Sequence, residues 1–262
     1  MIFLEVMVVK IGVYDLNECS NLNYKERLNI YKEIGFTSVG LYLDDKYMTN
    51  DENYNDIIEY AYKIGLEVNQ VHLDYKISND ICDDNSFYFE YVKNKLNEAD
   101  KLGVKFVVVH ASKGSNPPML NHKGICELEL MMRDYQNKNI YLCFENVRCN
   151  TNLKFIINSN ISNIGVCYDV GHAHCYDSED ALFEEYKDKI KCTHLHNNYG
   201  EDSHNCLDDG EINIKEIISM INCNNQIDNC LEVFPKRGVI LDKEEFKEFL
   251  NRNYNYYRKC IK

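Results

Sequence analysis

The 262-residue chain is predicted to fold as a single (β/α)8 barrel spanning residues 1–262. Three observations lead there. Short β-branched or aromatic runs alternate with longer stretches of helical periodicity from one end of the chain to the other. Eight such units fill a length of about 250 residues, which is typical of one closed barrel. Neither G-x-G-x-x-G nor a P-loop follows an early strand, as an open doubly wound sheet would favour, and no linker or low-complexity segment divides the chain.

The first strand is expected over Val9 to Tyr14, with a helix from Tyr24 that ends at the C-cap candidate Gly35. Ser38 to Leu43 is the second strand, followed by a helix through Ile57 to Ile64 and a closing Gly65. Glu67 to Leu73 is the third, and Phe87 to Leu102 its helix, capped by Gly103. Phe106 to His110 is the most hydrophobic run, as a strand buried on both faces should be. Ile140 to Glu145, Gly165 to Asp169, Cys192 to His196 and Cys230 to Val233 complete the eight, with helix patterns near Leu153, Leu182 and Ile217 and a last one over Lys243 to Tyr257.

Composition narrows the function. A hydrophobic fraction of 45% excludes a disordered chain, and no apolar run of about 18 residues offers a membrane span. The net charge of -13 repels a polyanion at long range, which makes nucleic acid an unfavourable partner. The 12 cysteines include no C-x-x-C pair and are expected to be reduced. The opening MIFLEVMVV contains Glu5 and has no positive region before it or small-residue cleavage pattern, so a cytoplasmic location is expected.

In a β/α barrel the active site forms where the strands end. His72 ends the third strand, His110 the fourth, Glu145 the fifth, Asp169 the sixth with His172 just beyond, His194 lies on the seventh and Glu232 on the eighth. Asp202 and His204 follow in the loop after the seventh strand. Four carboxylates in one mouth repel one another unless cations lie between them. Mixed imidazole and carboxylate donors suit Zn, Mn, Co or Fe better than Mg or Ca.

These residues lie in VHLDY (71–75), VVVHAS (107–112), CFENV (143–147), CYDVGHAH (167–174), THLHNN (193–198), the D-x-H of Asp202 and His204, and LEVFP (231–235). Together they resemble the xylose-isomerase-like barrels, which include sugar isomerases, sugar epimerases and apurinic endonucleases of the endonuclease IV type. The resemblance to the epimerases implies one metal held by Glu145, Asp169, His194 and Glu232, with Glu145 and Glu232 also serving as acid/base groups. The resemblance to the endonucleases implies three metals. His72 and His110 with Glu145 would hold one, and Asp169, His194 and Glu232 with a bridging Glu145 the second. His172, Asp202 and His204 would hold the third. Tyr75 resembles a tyrosine of that branch. Two departures stand out: Gly200 occupies the place of an epimerase arginine, and LDDKYM, with Asp44 and Asp45, replaces a basic DNA-entering loop.

The expectation is therefore an isomerase or epimerase of a sugar or sugar phosphate, dependent on one to three divalent ions, Zn or Mn foremost. A multinuclear phosphoester hydrolase is the alternative. Tyr75, His174 and His196 are candidate substrate contacts; strand parity is read as turning His196 toward the helices, in a supporting role. Cys143, Cys167, Cys192 and Cys230 each precede a ligand candidate by two residues, which places them one layer below as packing. His122 is expected at the surface. Tyr254, Tyr256 and Tyr257 are candidates for helix packing or a homodimer contact.

Overall fold

The computed structural model describes residues 10–43, 53–83, 87–176, 181–222 and 227–261. Val9, Asp44 and Asp45 lie outside the described residues. Eight strands, β1 (Gly12–Tyr14), β2 (Ser38–Tyr42), β3 (Glu67–His72), β4 (Phe106–His110), β5 (Tyr141–Glu145), β6 (Ile164–Asp169), β7 (Ile190–Leu195) and β8 (Asp228–Leu231), pair in parallel in chain order. The pairing of β1 with β8 closes the barrel.

Helices follow the strands on the outside: α1 (Tyr24–Ile34), α2 (Tyr54–Lys63), α3 (Tyr88–Lys101), α4 (His122–Met132), α5 (Thr151–Asn158), α6 (Val170–Tyr176), α7 (Ala181–Tyr186), α8 (Ile214–Asn222) and α9 (Lys243–Cys260). Local chemistry sets their ends. Asn23 and Glu26 form a reciprocal capping box at the start of α1, as Asp242 and Glu245 do for α9, satisfying amide groups that have no partner inside the helix. Gly35 ends α1 at φ 114°, a conformation that glycine adopts without steric penalty. Outward-facing strand residues such as Val39, Val71, Val107, Leu142 and Val166 pack with Leu28, Ile57, Val92, Leu153 and Phe246 of the helices into one continuous core.

Tyr254 and Tyr257 of α9 are buried in this same chain. Tyr254 packs on Phe36 at 5.1 Å between ring centroids, and the Tyr257 hydroxyl accepts from Asn229 Nδ2 at 3.2 Å. Both act as helix-to-barrel packing and are withdrawn from a dimer surface. His122 is exposed, with Phe155 edge-on beside its ring.

Four strands end earlier than their sequence runs suggest, β2 and β3 by one residue each, at Tyr42 and His72. β7 stops at Leu195 and β8 at Leu231, so His196 and Glu232 stand just beyond the ladder. Unforeseen turns also shape the mouth. A 3-10 segment over Tyr75–Cys82, capped by the Asp74 carboxylate at Lys76 N, follows β3, and α6 begins directly where β6 ends.

Candidate metal centre and active site

The strand register brings the predicted ligands to one level. His110 is the direct partner of Glu145 across β4 and β5, and Asp169 that of His194 across β6 and β7. Glu145 and Asp169 are almost fully buried, His194 is completely so, and His72, His172 and Glu232 are buried nearly as well. Glu145 is the hub. Its Oε2 lies 3.0 Å from His72 Nε2 and 2.7 Å from His110 Nε2, and its Oε1 lies 2.7 Å from His194 Nδ1. The same His194 nitrogen is 3.0 Å from Glu232 Oε2 and 3.8 Å from Asp169 Oδ2. Further out, His172 Nε2 and His204 Nε2 approach the two oxygens of Asp202 at 3.3 and 3.1 Å.

Ligand atoms fall into compact groups within 4.8 Å of one another: His72, His110 and Glu145; Glu145, Asp169, His194 and Glu232; and His172, His196, Asp202 and His204. All nine predicted ligands are thus gathered at one mouth.

The imidazoles are pre-set as nitrogen donors. His72 Nδ1 bonds to Leu73 O at 2.7 Å, His172 Nδ1 to Asn146 O at 3.0 Å, and His204 Nδ1 to Glu232 O at 2.9 Å. A carbonyl can only accept, so each Nδ1 carries a proton, and each Nε2 faces a carboxylate, to which it donates when protonated and beside which its lone pair is free for a cation when it is not. His194 is reversed: its Nε2 meets the Tyr14 hydroxyl at 3.1 Å and its Nδ1 faces inward.

Electrostatics agree with a cation site. Burial pushes the Glu145 and Glu232 carboxyls up, but the imidazoles of His194 with His110, and of His194 with His204, outweigh it and hold both well below the ordinary range. Burial opposes charging of His194, yet Glu232 and Glu145 drive it well above the usual imidazole value; His204 rises to about 9 against its own burial, chiefly through Asp202. At His110 burial prevails over Glu145 and lowers the value. The carboxylates thus demand positive charge between them, which protonated imidazoles or divalent ions can supply. Asp169 Oδ2 is buried with no hydrogen-bond partner among the described residues, although Asp169 Oδ1 accepts from His172 N at 2.6 Å. An orphaned carboxylate oxygen beside His194 and Glu145 fits a metal ligand.

Several contributors were not read from the sequence. Tyr14 and Tyr42 end β1 and β2 at the ligand level, and the Tyr42 hydroxyl donates to Glu232 Oε1. Their position at strand ends was the available signal. Asn146 holds the backbone of Asp169 by two hydrogen bonds of 2.7 and 2.8 Å while its own carbonyl accepts from His172. Arg27 is buried in a two-pronged pair with Asp15 at 2.8 Å, which also accepts from the Tyr31 hydroxyl; this anchors the loop after β1.

A cavity of about 350 Å³ opens over the cluster. It is lined by Leu16, Tyr42, Tyr75 and Phe234 together with His72, His110, Glu145, His172, Asp202, His204 and Glu232. Tyr75 lies at the rim, 42% exposed, with its ring 6.1 Å from that of His110. His174 is exposed, bonds to Asn198 Oδ1 at 2.6 Å and joins none of the ligand groups.

His196 corrects its expected orientation. It is fully buried, its Nε2 lies 3.1 Å from Asp169 Oδ1, and it belongs to the outer ligand group. Alternation gives residues 194 and 196 the same parity, so both face the mouth.

The cysteines lie below as expected. Cys143, Cys167 and Cys192 cluster with Phe106 and Val108 inside the barrel, and burial pushes their thiols well up. All cysteines among the described residues are free. Among the described residues no helix is long and apolar enough to cross a membrane.

Comparisons with known proteins agree with this geometry. Solved structures with the same fold include an L-ribulose 3-epimerase, at 14% identity and TM-score 0.77, covering 97% of this chain and 94% of that one. A D-psicose 3-epimerase with D-tagatose from Clostridium cellulolyticum H10 follows at 13% and 0.74, covering 97% and 100%. A 3-keto-D-glucoside 4-epimerase from E. coli aligns at 17% and 0.69, covering 96% and 100%. No curated protein matches the chain in sequence. The family model described as xylose isomerase-like TIM barrel matches residues 28–250, and with a closed eight-stranded barrel behind that match, the chain belongs to the xylose isomerase-like TIM barrel family.

Proposed function

We propose that the protein is a metal-dependent isomerase or epimerase acting on a sugar or sugar phosphate. The observation that carries this reading is the placement of Glu145 and Glu232. Both are buried carboxylates at the floor of the cavity, and both contact the same inward-facing nitrogen of His194. Epimerisation beside a carbonyl needs one group to remove a proton from carbon and another to return it. Two carboxylates at the base of one small cavity suit that exchange. The solved epimerases of the same fold support it.

Glu145, Asp169, His194 and Glu232 would hold the principal ion, with Zn or Mn best suited to the mixed donors. A bound ion supplies polarisation of the substrate carbonyl and hydroxyl, which lowers the barrier to proton removal. The chain's own residues do the rest. Tyr42 holds one oxygen of Glu232 and leaves the other facing His194. Tyr14 orients the His194 ring from behind. Leu16, Tyr75 and Phe234 supply apolar and aromatic surface against the sugar and limit water at the reacting carbon. A cytoplasmic location accords with the reduced thiols.

The gathering of all nine ligands supports a second reading, a multinuclear phosphoester hydrolase resembling the endonuclease IV type. The charge of -13 weighs against DNA as its substrate. The test compares ketose and sugar-phosphate turnover with cleavage of a phosphodiester and of abasic duplex DNA. Solvent-deuterium incorporation at the epimerised carbon is the expected positive result. Efficient abasic-site incision without sugar turnover would transfer the assignment to the hydrolase.

A further inference from the structure

We infer that the substrate is a sugar phosphate and that Lys113 and Arg148 hold its phosphate at the rim of the cavity. The inference rests on the isomerase reading above and names the anionic group which that reading leaves open. Lys113 stands three residues beyond His110, and Arg148 three beyond Glu145, so both lie on loops that leave the paired strands β4 and β5 at the mouth. The two loops are fastened together, because the fully buried Ser112 donates its hydroxyl to Cys149 O at 2.7 Å. Asn79 clamps the Lys113 backbone as well, accepting from its N–H at 2.8 Å and donating to its carbonyl at 3.2 Å.

Each cation is set over a tyrosine ring. Lys113 Nζ lies 5.0 Å from the ring centroid of Tyr75, and Arg148 Cζ 4.9 Å from that of Tyr176. Those rings in turn flank two histidines of the mouth: Tyr75 is 6.1 Å from His110, Tyr176 is 5.9 Å from His172, and the two imidazoles are 6.3 Å apart. The cations therefore close the two ends of one arc of rings. Both are exposed, and among the described residues neither head group has a carboxylate within ion-pair distance. Lysines on the outer helices are paired instead, such as Lys93 with Asp134 and Lys138 with Asp100. In a chain of net charge -13, an unopposed lysine and arginine on bonded loops form a local attractor for an anion. A phosphate monoester carries a charge of about -1.5 to -2 and three acceptor oxygens, which suit a compact ammonium on one side and a forked guanidinium on the other. A carboxylate would be matched by the guanidinium alone. Neither cation lines the cavity itself, so the group they hold is the far end of a substrate whose reacting carbons lie over Glu145 and Glu232.

The experiment measures calorimetric binding to the Mn²⁺-loaded full-length protein, pairing D-fructose with D-fructose 6-phosphate and D-ribulose with D-ribulose 5-phosphate, and follows turnover of the same four compounds. The unaltered protein should bind each ester at least about tenfold more tightly than its parent sugar. Lys113→Gln and Arg148→Gln should each lower that ratio roughly three- to tenfold, and the double variant should bring it close to parity. Arg148→Lys should restore part of it, while Arg237→Gln, at an exposed position in the loop after β8, should leave it intact. Equal affinity for ester and sugar in the unaltered protein would overturn the inference. So would a preference that survives in the double variant, which would place the phosphate on the metal ions, or one lowered as much by Arg237→Gln, which would reduce it to the general field of the rim. D-glucuronate bound as tightly as the esters would make the site one for carboxylates and overturn it equally. A preference that depends on Lys113 and Arg148 without turnover of any sugar would keep the phosphate site and remove the isomerase reading. Turnover of the free sugars with no preference for the esters would do the reverse, and absence of binding by all four compounds would remove both.

Discussion

Carboxylates sit at both ends of the barrel, and the two ends hold them in opposite states. At the mouth, Glu145 and Glu232 face imidazoles and are held well below the ordinary carboxyl value despite burial. At the opposite end, Asp228 of β8 is hydrogen-bonded by neutral amides, Gln70 Nε2 at 2.7 Å and Asn69 Nδ2 at 2.9 Å, with the charges of Lys105 and Glu67 acting on it more weakly and in opposite senses. Burial there pushes its value up, and the amide hydrogen bonds offset this only in part. Between the ends lies an uncharged layer of Cys143, Cys167 and Cys192 with Phe106 and Val108. The same strand faces therefore pass from charged to apolar within two residues. The contrast shows that the type of neighbour, more than burial, decides whether an inward carboxylate is poised to bind cations.

The largest effect should come from the mouth. Glu145→Gln or Glu232→Gln keeps a coordinating oxygen but removes the base, so turnover should fall about 10²- to 10⁴-fold while bound metal is partly retained. Near-normal turnover with either Gln variant would show that these carboxylates only ligate. Next comes the middle layer. Cys192→Ser places a hydroxyl where only the weakly bonding thiols of Cys143 and Cys167 await it, at a cost of about 1 to 3 kcal/mol in urea unfolding, with metal content unchanged. Loss of metal without loss of stability would instead make the thiols part of the metal centre.

A smaller effect distinguishes support from chemistry at the mouth itself. Tyr42→Phe removes the hydroxyl that donates to Glu232, and a carboxylate that loses a hydrogen bond is protonated more readily. The acidic limb of the pH–rate profile should move upward, with kcat reduced more than KM is raised; an unchanged limb would leave Tyr42 as packing alone.

The smallest effect belongs to Asp228. Its folded-state value is raised, so its contribution to stability is full below the unfolded value, near 3.8, and is lost as pH rises through the higher folded one. Asp228→Asn should remove that decline and flatten the stability curve just above pH 4. Denaturation midpoints at several pH values check this, and a variant curve parallel to that of the unaltered protein would contradict it.

The fold was legible because its cause is periodic. Eight runs such as Phe106 to His110 and Ile140 to Glu145, each followed by a helical pattern, leave few topologies open to a chain whose parallel strands must cross over with one hand. The convergence of the nine candidate ligands was legible because polar residues ending apolar strands have few structural uses, and motifs such as VHLDY and CYDVGHAH carry a family pattern. The cysteine layer followed from alternation by two.

Other features depend on relations that no local pattern contains. The direction of His196 follows from its shared parity with His194, but the space that Gly171, on a different unit, leaves for its ring does not. Tyr14 and Tyr42 gain their roles only through the closed barrel, which carries them to His194 and Glu232 from the far end of the sequence. Tyr254 and Tyr257 read as helix packing or a dimer contact until α9 packs back on Phe36 and Asn229. The sequence by itself determined which side chains alternate toward the barrel interior, because that depends on the two-residue period of a strand. Which of them meet, and with which proton on which nitrogen, was decided by closure of the barrel, since hydrogen bonds and charges act over about 3 to 4 Å between residues far apart in the chain.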